Sequence, residues 1–274
     1  MRTAIMNLFS QIMWYLNGDD LMNILGMNLS EFMHDAYRIS TEIQKTVVAP
    51  VAFALLSVFI LLEFQKISMK VEGAGGAPTL GFEMIIKAFI KFIICYIVIL
   101  RIQDILDGIL LIAGTLTRRI IESQVDGSLR DLYSRVDSAV SSLSWWEQLV
   151  ALLVFCIMFL AALVIRVLVQ VTIYIRFLEL YIFCAMAPIP MGALPSNEFS
   201  AMSKGFFKNF AATGLQTCFI ALVLVIYPAI FTTILDNFQN GLWGIILGIT
   251  IYMIALLFSI NKTKGWAKMI LSAN

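Results

Sequence analysis

The chain has 274 residues, of which 60% are hydrophobic and 14% are charged, and its formal net charge is +1. Soluble domains carry roughly 25% charged residues, so the composition argues against a water-soluble protein, and the near-zero charge gives no electrostatic case for binding nucleic acid. The apolar residues form blocks of the length that crosses roughly 30 Å of hydrocarbon. The sequence therefore predicts an all-α fold, a polytopic transmembrane helical bundle with additional amphipathic interfacial helices.

Residues 1–46 are predicted to form amphipathic helices rather than a secretory signal peptide, because polar residues interrupt the apolar stretch and no small-residue cleavage site follows. The apolar side chains of the first helix recur at helical spacing: Ile5, Leu8, Phe9, Ile12, Met13 and Leu16. Two interpretations stay open. The helix lies in the membrane interface, which suits Trp14 and Tyr15, or it packs in a protein core.

A second polar helix is predicted over residues 28–46, because Asn28 and Glu31 have the spacing of a capping box. It leads into the first two transmembrane helices, which occupy residues 47–100. The first span covers residues 47–62, and a connector follows over residues 63–78.

The connector ends in a glycine-rich segment, residues 73–78, in which Gly73, Gly75 and Gly76 predict a flexible loop. It is not a phosphate-binding loop, since no Gly-Lys-Ser/Thr follows. In the second span, Glu83, Lys87 and Lys91 share one helix face. We favour lysines that extend to the headgroups over the alternative of a water-filled path.

Residues 101–147 are the least hydrophobic stretch and predict an extramembrane region of paired amphipathic helices. Trp145 and Trp146 follow it and are predicted to be interface anchors, because tryptophan prefers headgroup depth. The C-terminal transmembrane helices are predicted over residues 148–260, followed by a basic cytoplasmic tail over residues 261–274.

The apolar block over residues 148–194 is far longer than one span requires. One long helix that extends past the bilayer and two spans that meet near Arg166 are both compatible with it. Four polar residues occupy about half of the helix surface in this block: Arg166, Gln170, Arg176 and Glu179. They predict either a polar seam facing a lumen or a subunit interface, or a helix end that has left the membrane.

Pro188 and Pro190 form a candidate helix break or hinge. Broken helices of this kind occur in transporters. We favour the alternative, a helix that stops at the membrane interface, because polar sequence follows.

Lysine and arginine placement predicts a cytoplasmic C-terminus, because the last loop has neither residue and the tail carries Lys262, Lys264 and Lys268. Five spans would place the N-terminus and residues 101–147 outside, whereas six would place both inside. The five arginines of residues 101–147 favour six spans.

No catalytic, metal or cofactor-binding set stands out, and we predict that the chain is not an enzyme. His34 has no partner at motif spacing, and no zinc signature, nucleotide loop or nucleophile elbow is present. Each of the four cysteines lies in an apolar block without a CxxC pair, which predicts buried thiols: Cys95, Cys156, Cys184 and Cys218.

The order of these elements resembles the TrbL-like polytopic inner-membrane subunits of type IV secretion and conjugation machines, in the short-tailed form of Gram-positive conjugative elements. The resemblance covers residues 47–260. Four segments carry it: FEMIIKAFIKF over residues 82–92 after the glycine loop, Trp-Trp-Glu at 145–147, ELYIFCAMAPIPMGAL over 179–194, and GFFKNF over 205–210.

The resemblance implies a non-enzymatic channel or scaffold subunit for DNA transfer, with the secretion ATPase and other type IV secretion subunits as partners. It also implies ring-like homo-oligomers, transient contact with the DNA–protein substrate, and an outside N-terminus with five spans, and on that ground we adopt five. The alternative function is a small-molecule transporter or ion channel, which should show two repeated halves with interrupted helices.

Seven lysines are expected to form a cytoplasmic rim: Lys66, Lys70, Lys204, Lys208, Lys262, Lys264 and Lys268. Membrane orientation and attraction to anionic lipid account for this rim. Contact with nucleic acid in transit is the alternative.

Overall fold

The computed structural model describes residues 1–17, 19–73, 78–123, 128–196, 198–237 and 242–272. These residues form helices joined by short connections, and no strand occurs among them, so the predicted all-α fold is confirmed. The α-helices are α1 (Arg2–Asn17), α2 (Asp19–Gly26), α3 (Leu29–Phe32), α4 (His34–Ile43), α5 (Ala49–Gly73), α6 (Pro78–Leu100), α7 (Ile102–Glu122), α8 (Ser128–Ser141), α9 (Trp145–Met186), α10 (Pro188–Gly192), α11 (Ser200–Asn237) and α12 (Leu242–Ile270).

Within the described residues, four helical segments are long and apolar enough to cross a membrane: His34–Gly73, Trp145–Gly192, Ser200–Phe231 and Trp243–Ile270. Helix α6 is not among them, because every stretch of 18 residues within it includes Glu83, Lys87 and Lys91. The fifth predicted span therefore depends on α6 alone.

The helix of the first span extends further in both directions than the sequence predicted. A π-helical turn at Gln44–Val48 joins α4 to α5, and its last hydrogen bond runs from the Ala49 N–H to the Gln44 carbonyl. The turn ends two residues before Pro50, and proline, which lacks an N–H, is a common cause of helix distortion.

The predicted connector over residues 63–72 was wrong, since α5 continues to Gly73. No Gly or Pro stands between Glu63 and Glu72 to stop the helix. Gly73 is the last residue of α5. Gly75 and Gly76 lie outside the described residues, and the flexible loop stays a prediction.

Helix α9 is a single continuous helix of 42 residues, about 62 Å long. The alternative of two spans meeting near Arg166 is therefore wrong. At the start of α9, the Ser144 N–H donates to Glu147 Oε2 at 2.8 Å, which caps the first turn. No Gly or Pro interrupts the chain until Pro188, which opens the short helix α10.

The chain divides into two compact units. Unit 1 comprises Met1–Met27, Ala113–Arg176 and Leu215–Ala267. In it, the Phe9 ring of α1 meets the Tyr133 ring of α8 at 5.2 Å and the Phe155 ring of α9 at 6.4 Å. Of the predicted apolar set of α1, all but the half-buried Leu8 are at most 2% exposed. The structure thus supports the core-packing interpretation of this helix.

Unit 2 comprises Asn28–Ile112, Phe177–Gly214 and Lys268–Asn274. The predicted capping box is confirmed, with the Asn28 N–H donating to Glu31 Oε2 at 3.0 Å. The Phe32 ring stacks on Phe177 with centroids 3.8 Å apart. Lys66 of α5, one of the predicted rim lysines, pairs with Glu198 at 2.7 Å.

Candidate functional site

The polar seam of α9 begins at Arg166, whose charge is compensated inside unit 1. Its Nη1 donates to the Tyr15 carbonyl at 3.3 Å, and its Nη2 lies 3.7 Å from an Asp20 carboxylate oxygen. The guanidinium carbon stands 5.6 Å from the centroid of the Trp14 ring, a cation–π geometry. Only 11% of the Arg166 side chain is exposed, and its polar contacts come from the N-terminal residues Tyr15 and Asp20.

The other seam residues are also turned away from the fully exposed surface of α9. Arg176 is only 3% exposed, and Gln170 and Glu179 are half-buried. The exposed positions nearby are apolar: Val167, Leu168, Val171, Ile175 and Leu178. The helix thus separates a polar side from an apolar side, and the seam's role at a lumen or subunit interface stays a prediction.

The segment that contains Pro188 and Pro190 is buried within unit 2 and connects α9 to α11. Pro188 opens α10, both Pro188 and Pro190 are buried, and Ser203 Oγ donates to the Pro190 carbonyl. A Cβ atom on Gly192 would lie 2.8 Å from the Ala52 carbonyl oxygen, so α10 approaches α5 at backbone contact. The Pro190 carbonyl is therefore hydrogen-bonded within protein, as membrane depth would require. The hinge itself stays a prediction.

The predicted interface anchors stand at the first turn of α9. The Trp145 and Trp146 side chains are 58% and 62% exposed, and their rings stack with centroids 4.1 Å apart. Trp146 and Trp243, near the start of α12, line an apolar cavity of about 460 Å³. Two long apolar helices thus present tryptophans at their N-terminal ends, which is typical of a headgroup boundary.

A hydrogen-bonded cluster in unit 2 was not predicted from the sequence. The Tyr37 hydroxyl donates to Asp107 Oδ2 at 2.7 Å, and Gln103 Nε2 lies 3.0 Å from both Asp107 Oδ1 and the Tyr37 hydroxyl. A cavity of about 320 Å³ lies beside Tyr37 and Asp107. One turn earlier on the same helix, Asp104 is exposed and accepts a hydrogen bond from Arg101 Nη1 at 3.1 Å.

At the N-terminal end of α1, an ion pair between Arg2 and Asp137 joins α1 to α8. Arg2 Nε donates to Asp137 Oδ1 at 2.7 Å. This hydrogen bond lowers the pKa of the Asp137 carboxyl, whereas burial raises the pKa of the neighbouring Tyr133 hydroxyl. The pair is partly exposed, so it orients the two helices more than it stabilises them.

Cysteine placement departs from the sequence prediction at one position. Cys95, Cys184 and Cys218 are buried as predicted, but Cys156 is exposed on α9. Cys218 and Thr117 lie 3.2 Å apart within unit 1. Among the described residues, no group of three His, Cys, Asp or Glu side chains is arranged to hold a metal ion.

Residues 20–188 match the family described as TrbL/VirB6 plasmid conjugal transfer like protein. The match covers well over half of the chain and includes α5, α6 and all of α9. The GFFKNF segment, residues 205–210, lies beyond it. No curated protein and no solved structure matches the chain. The chain therefore belongs to the TrbL/VirB6 plasmid conjugal transfer-like family.

Proposed function

We propose that the chain is a non-enzymatic channel or scaffold subunit of a conjugative type IV secretion machine in the cytoplasmic membrane. The family match over residues 20–188 is the observation that carries this proposal. Because the subunits of such a machine assemble into one complex, the expected partners are other secretion subunits, including the ATPase, and further copies of this chain. Contact with the DNA–protein substrate is transient in this proposal.

The surface of α6 supports its assignment as a fifth membrane crossing despite its three charges. Its large side chains face outward, including Phe89, Ile93 and Ile97, each at least 52% exposed. Its buried positions include the small residues Ala88 and Cys95. Large residues outside and small residues at the contact are the pattern of helices packed in lipid. The Lys87 Nζ forms an ion pair with Glu83, one turn away, which reduces the free-energy cost of placing both charges in the membrane.

The proposed topology places α8 and the tryptophans of α9 outside and the C-terminal tail in the cytoplasm. The basic tail supports the second assignment through the positive-inside rule. The Arg2–Asp137 contact supports an outside N-terminus, because it holds the start of α1 next to α8. Helices α9, α11 and α12 then cross in alternating directions.

Deletion of the gene, followed by complementation in trans, tests the proposed function. We expect conjugal transfer to a recipient to be lost and then restored by the wild-type gene, because a channel subunit cannot be bypassed. Growth and uptake of common nutrients should stay unchanged. Undiminished transfer in the deletion strain would contradict the proposal, and a selective loss of solute uptake would favour a transporter.

A further inference from the structure

We propose that a cavity between α3, α4 and α7 binds the ammonium or guanidinium group of a basic side chain, with Asp107 as its charged partner. All residues of this Asp107 cavity belong to unit 2. Its volume is about 320 Å³, and it is lined by Asn28, Leu29, Ser30, Tyr37, Asp107, Gly108, Leu110 and Leu111. The chemistry of the site follows from its contacts. The assignment of the basic side chain to another secretion subunit rests on the proposed function.

Asp107 is a half-buried carboxylate whose described hydrogen-bond partners are all neutral. Its Oδ2 accepts from the Tyr37 hydroxyl at 2.7 Å, and its Oδ1 accepts from the Gln103 amide at 3.0 Å. Within the described part of the chain, no lysine or arginine forms an ion pair with it. Burial raises the pKa of Asp107 despite the two hydrogen bonds, so these bonds do not fully replace water around the charge.

The carboxylate of Asp107 can accept further hydrogen bonds. A carboxylate has about four acceptor positions, and Tyr37 and Gln103 use two of them. A cation in the adjacent cavity would add charge-assisted hydrogen bonds, which are stronger than neutral ones. It would also offset a charge that the fold has partly withdrawn from water.

The rest of the lining suits a basic side chain better than a metal ion. Leu29, Leu110 and Leu111 provide an apolar surface for the aliphatic stem of lysine or arginine. Calcium and magnesium prefer about six or more oxygen ligands, whereas one carboxylate lines this cavity. The donor set therefore favours an organic cation.

The cavity has room beside Asp107 and can be reached from the surface. A Cβ atom built on Gly108 would meet no atom within 4 Å. Ser30 is exposed, and Leu111 is 61% exposed. A side chain that approaches from outside the chain can therefore enter next to the carboxylate.

A basic side chain of another subunit and a free small amine share the same cationic group. The proposed topology places residues 101–147 outside the membrane, where other subunits of the machine can approach α7. This placement favours a partner's lysine or arginine as the source. The two sources differ in that a blocked amino acid carries only the side-chain cation, whereas a diamine carries no amino-acid backbone.

Saturation-transfer NMR on the purified full-length protein in detergent tests the chemistry. The probes are N-acetylarginine amide, its neutral isostere N-acetylcitrulline amide, and putrescine as a free diamine. We expect the arginine probe to bind about tenfold more tightly than the citrulline probe, because a hydrogen bond to a charged group is lost in the second. Putrescine should bind no more tightly than the arginine probe.

Three variants locate the binding. Asp107→Asn keeps the size of the side chain and removes its charge, and it should weaken binding of the arginine probe about tenfold. Gly108→Leu should also abolish binding, because leucine fills the cavity, favours a helix and leaves the hydrogen bonds of Asp107 intact. Asp104→Asn removes an exposed carboxylate one turn away and is the control, with binding unchanged. Melting curves without probe show whether each variant is folded.

Equal binding of the arginine and citrulline probes to the wild-type protein would overturn the proposal, and this comparison requires no variant to fold. Undiminished binding in folded Asp107→Asn or Gly108→Leu would place the probe elsewhere and would also overturn it. Binding of putrescine alone would identify a free amine and overturn the assignment to a partner. Conjugal transfer is not the readout, so an empty cavity leaves the secretion function standing.

Discussion

Helix α1, with 16 residues, and helix α6, with 23, present opposite surfaces. Helix α1 buries its large apolar side chains, with Phe9 and Ile12 fully inaccessible, and exposes Asn7 and Gln11. Helix α6 exposes most of its large apolar side chains, and its buried positions include the small residues Ala88 and Cys95. In the proposed topology each surface matches its surroundings, since α1 lies outside in contact with water and α6 crosses the lipid. Both helices are rich in apolar residues, so composition alone does not distinguish their surroundings. The difference lies in which side chains point outward: amides on α1 and large apolar side chains on α6.

The largest expected effect is on stability, from replacing a phenylalanine of α1 by alanine, with the same replacement on α6 as the comparison. Phe9→Ala removes a ring that packs between Tyr133 and Phe155, and we expect it to destabilise the folded protein by about 3–5 kcal/mol. Phe82→Ala on α6, where the side chain is 68% exposed, should change stability little. Thermal denaturation in detergent, followed by size-exclusion chromatography, measures both. Equal losses would mean that α6 packs against protein as α1 does.

A charge introduced on each exposed face should separate lipid from water. Ile93→Glu would place a carboxylate on the 53% exposed face of α6, at a cost of about 2.5–3.5 kcal/mol near the bilayer centre. We expect the membrane-inserted amount to fall. Gln11→Glu on α1 should leave it unchanged, because Gln11 is exposed and the proposed outside position of α1 leaves the new charge in water. The readout is protein resistant to carbonate extraction, and the proposed contrast fails if Ile93→Glu inserts normally.

Close backbone packing in unit 2 gives a smaller effect. In Gly192→Ala, the added methyl group would lie 2.8 Å from the Ala52 carbonyl oxygen, so α10 must shift. We expect a loss of about 1–3 kcal/mol, typical of an overpacked site. Gly205→Ala is the matched control, because no atom lies within 4 Å of the Cβ position there. A melting temperature unaffected by Gly192→Ala would show that the α10–α5 contact is loose.

The smallest effect concerns the pH dependence of the α1–α8 contact. Because Arg2 lowers the pKa of Asp137 below its unfolded value, the pair contributes stability above about pH 4 and loses it as pH falls through the folded pKa. Asp137→Asn should remove this acid-side loss from the melting curve. Asp35→Asn is the control, since that carboxylate is 85% exposed and its ion pair, at 3.6 Å, is with Arg38 of its own helix. An unchanged pH profile in Asp137→Asn would argue that the pair is absent in solution.

Local chemistry made part of this structure predictable. The helical period of α1 identified the residues that are buried, and the Asn28–Glu31 spacing identified a helix start. The predicted end of the first span is too early, because residues 63–72 are polar but contain no Gly or Pro to end the helix. Polar residues indicate that a helix face meets water, whereas Gly and Pro indicate where a helix can end.

The candidate sites were less accessible to sequence reasoning, because their partners are distant along the chain. Arg166 stood out as a charge in an apolar block, but Tyr15, which accepts its hydrogen bond, lies 151 positions away. Tyr37 and Asp107 are 70 positions apart, and neither has a local motif. The sequence of one amphipathic helix also does not show whether its polar face meets water or another part of the protein.

The proposed topology requires α8 to lie outside the cell and the start of α11 to lie inside. Single cysteines at Ser138 and Ala201 test it in a cysteine-free background, because both positions are exposed, whereas Ser203 is fully buried and unsuitable. Intact cells are labelled with a membrane-impermeant maleimide, and permeabilised cells control for reactivity. The proposed topology predicts that S138C is labelled in intact cells and A201C only after permeabilisation. Labelling of A201C but not S138C, or of neither, in intact cells would contradict it.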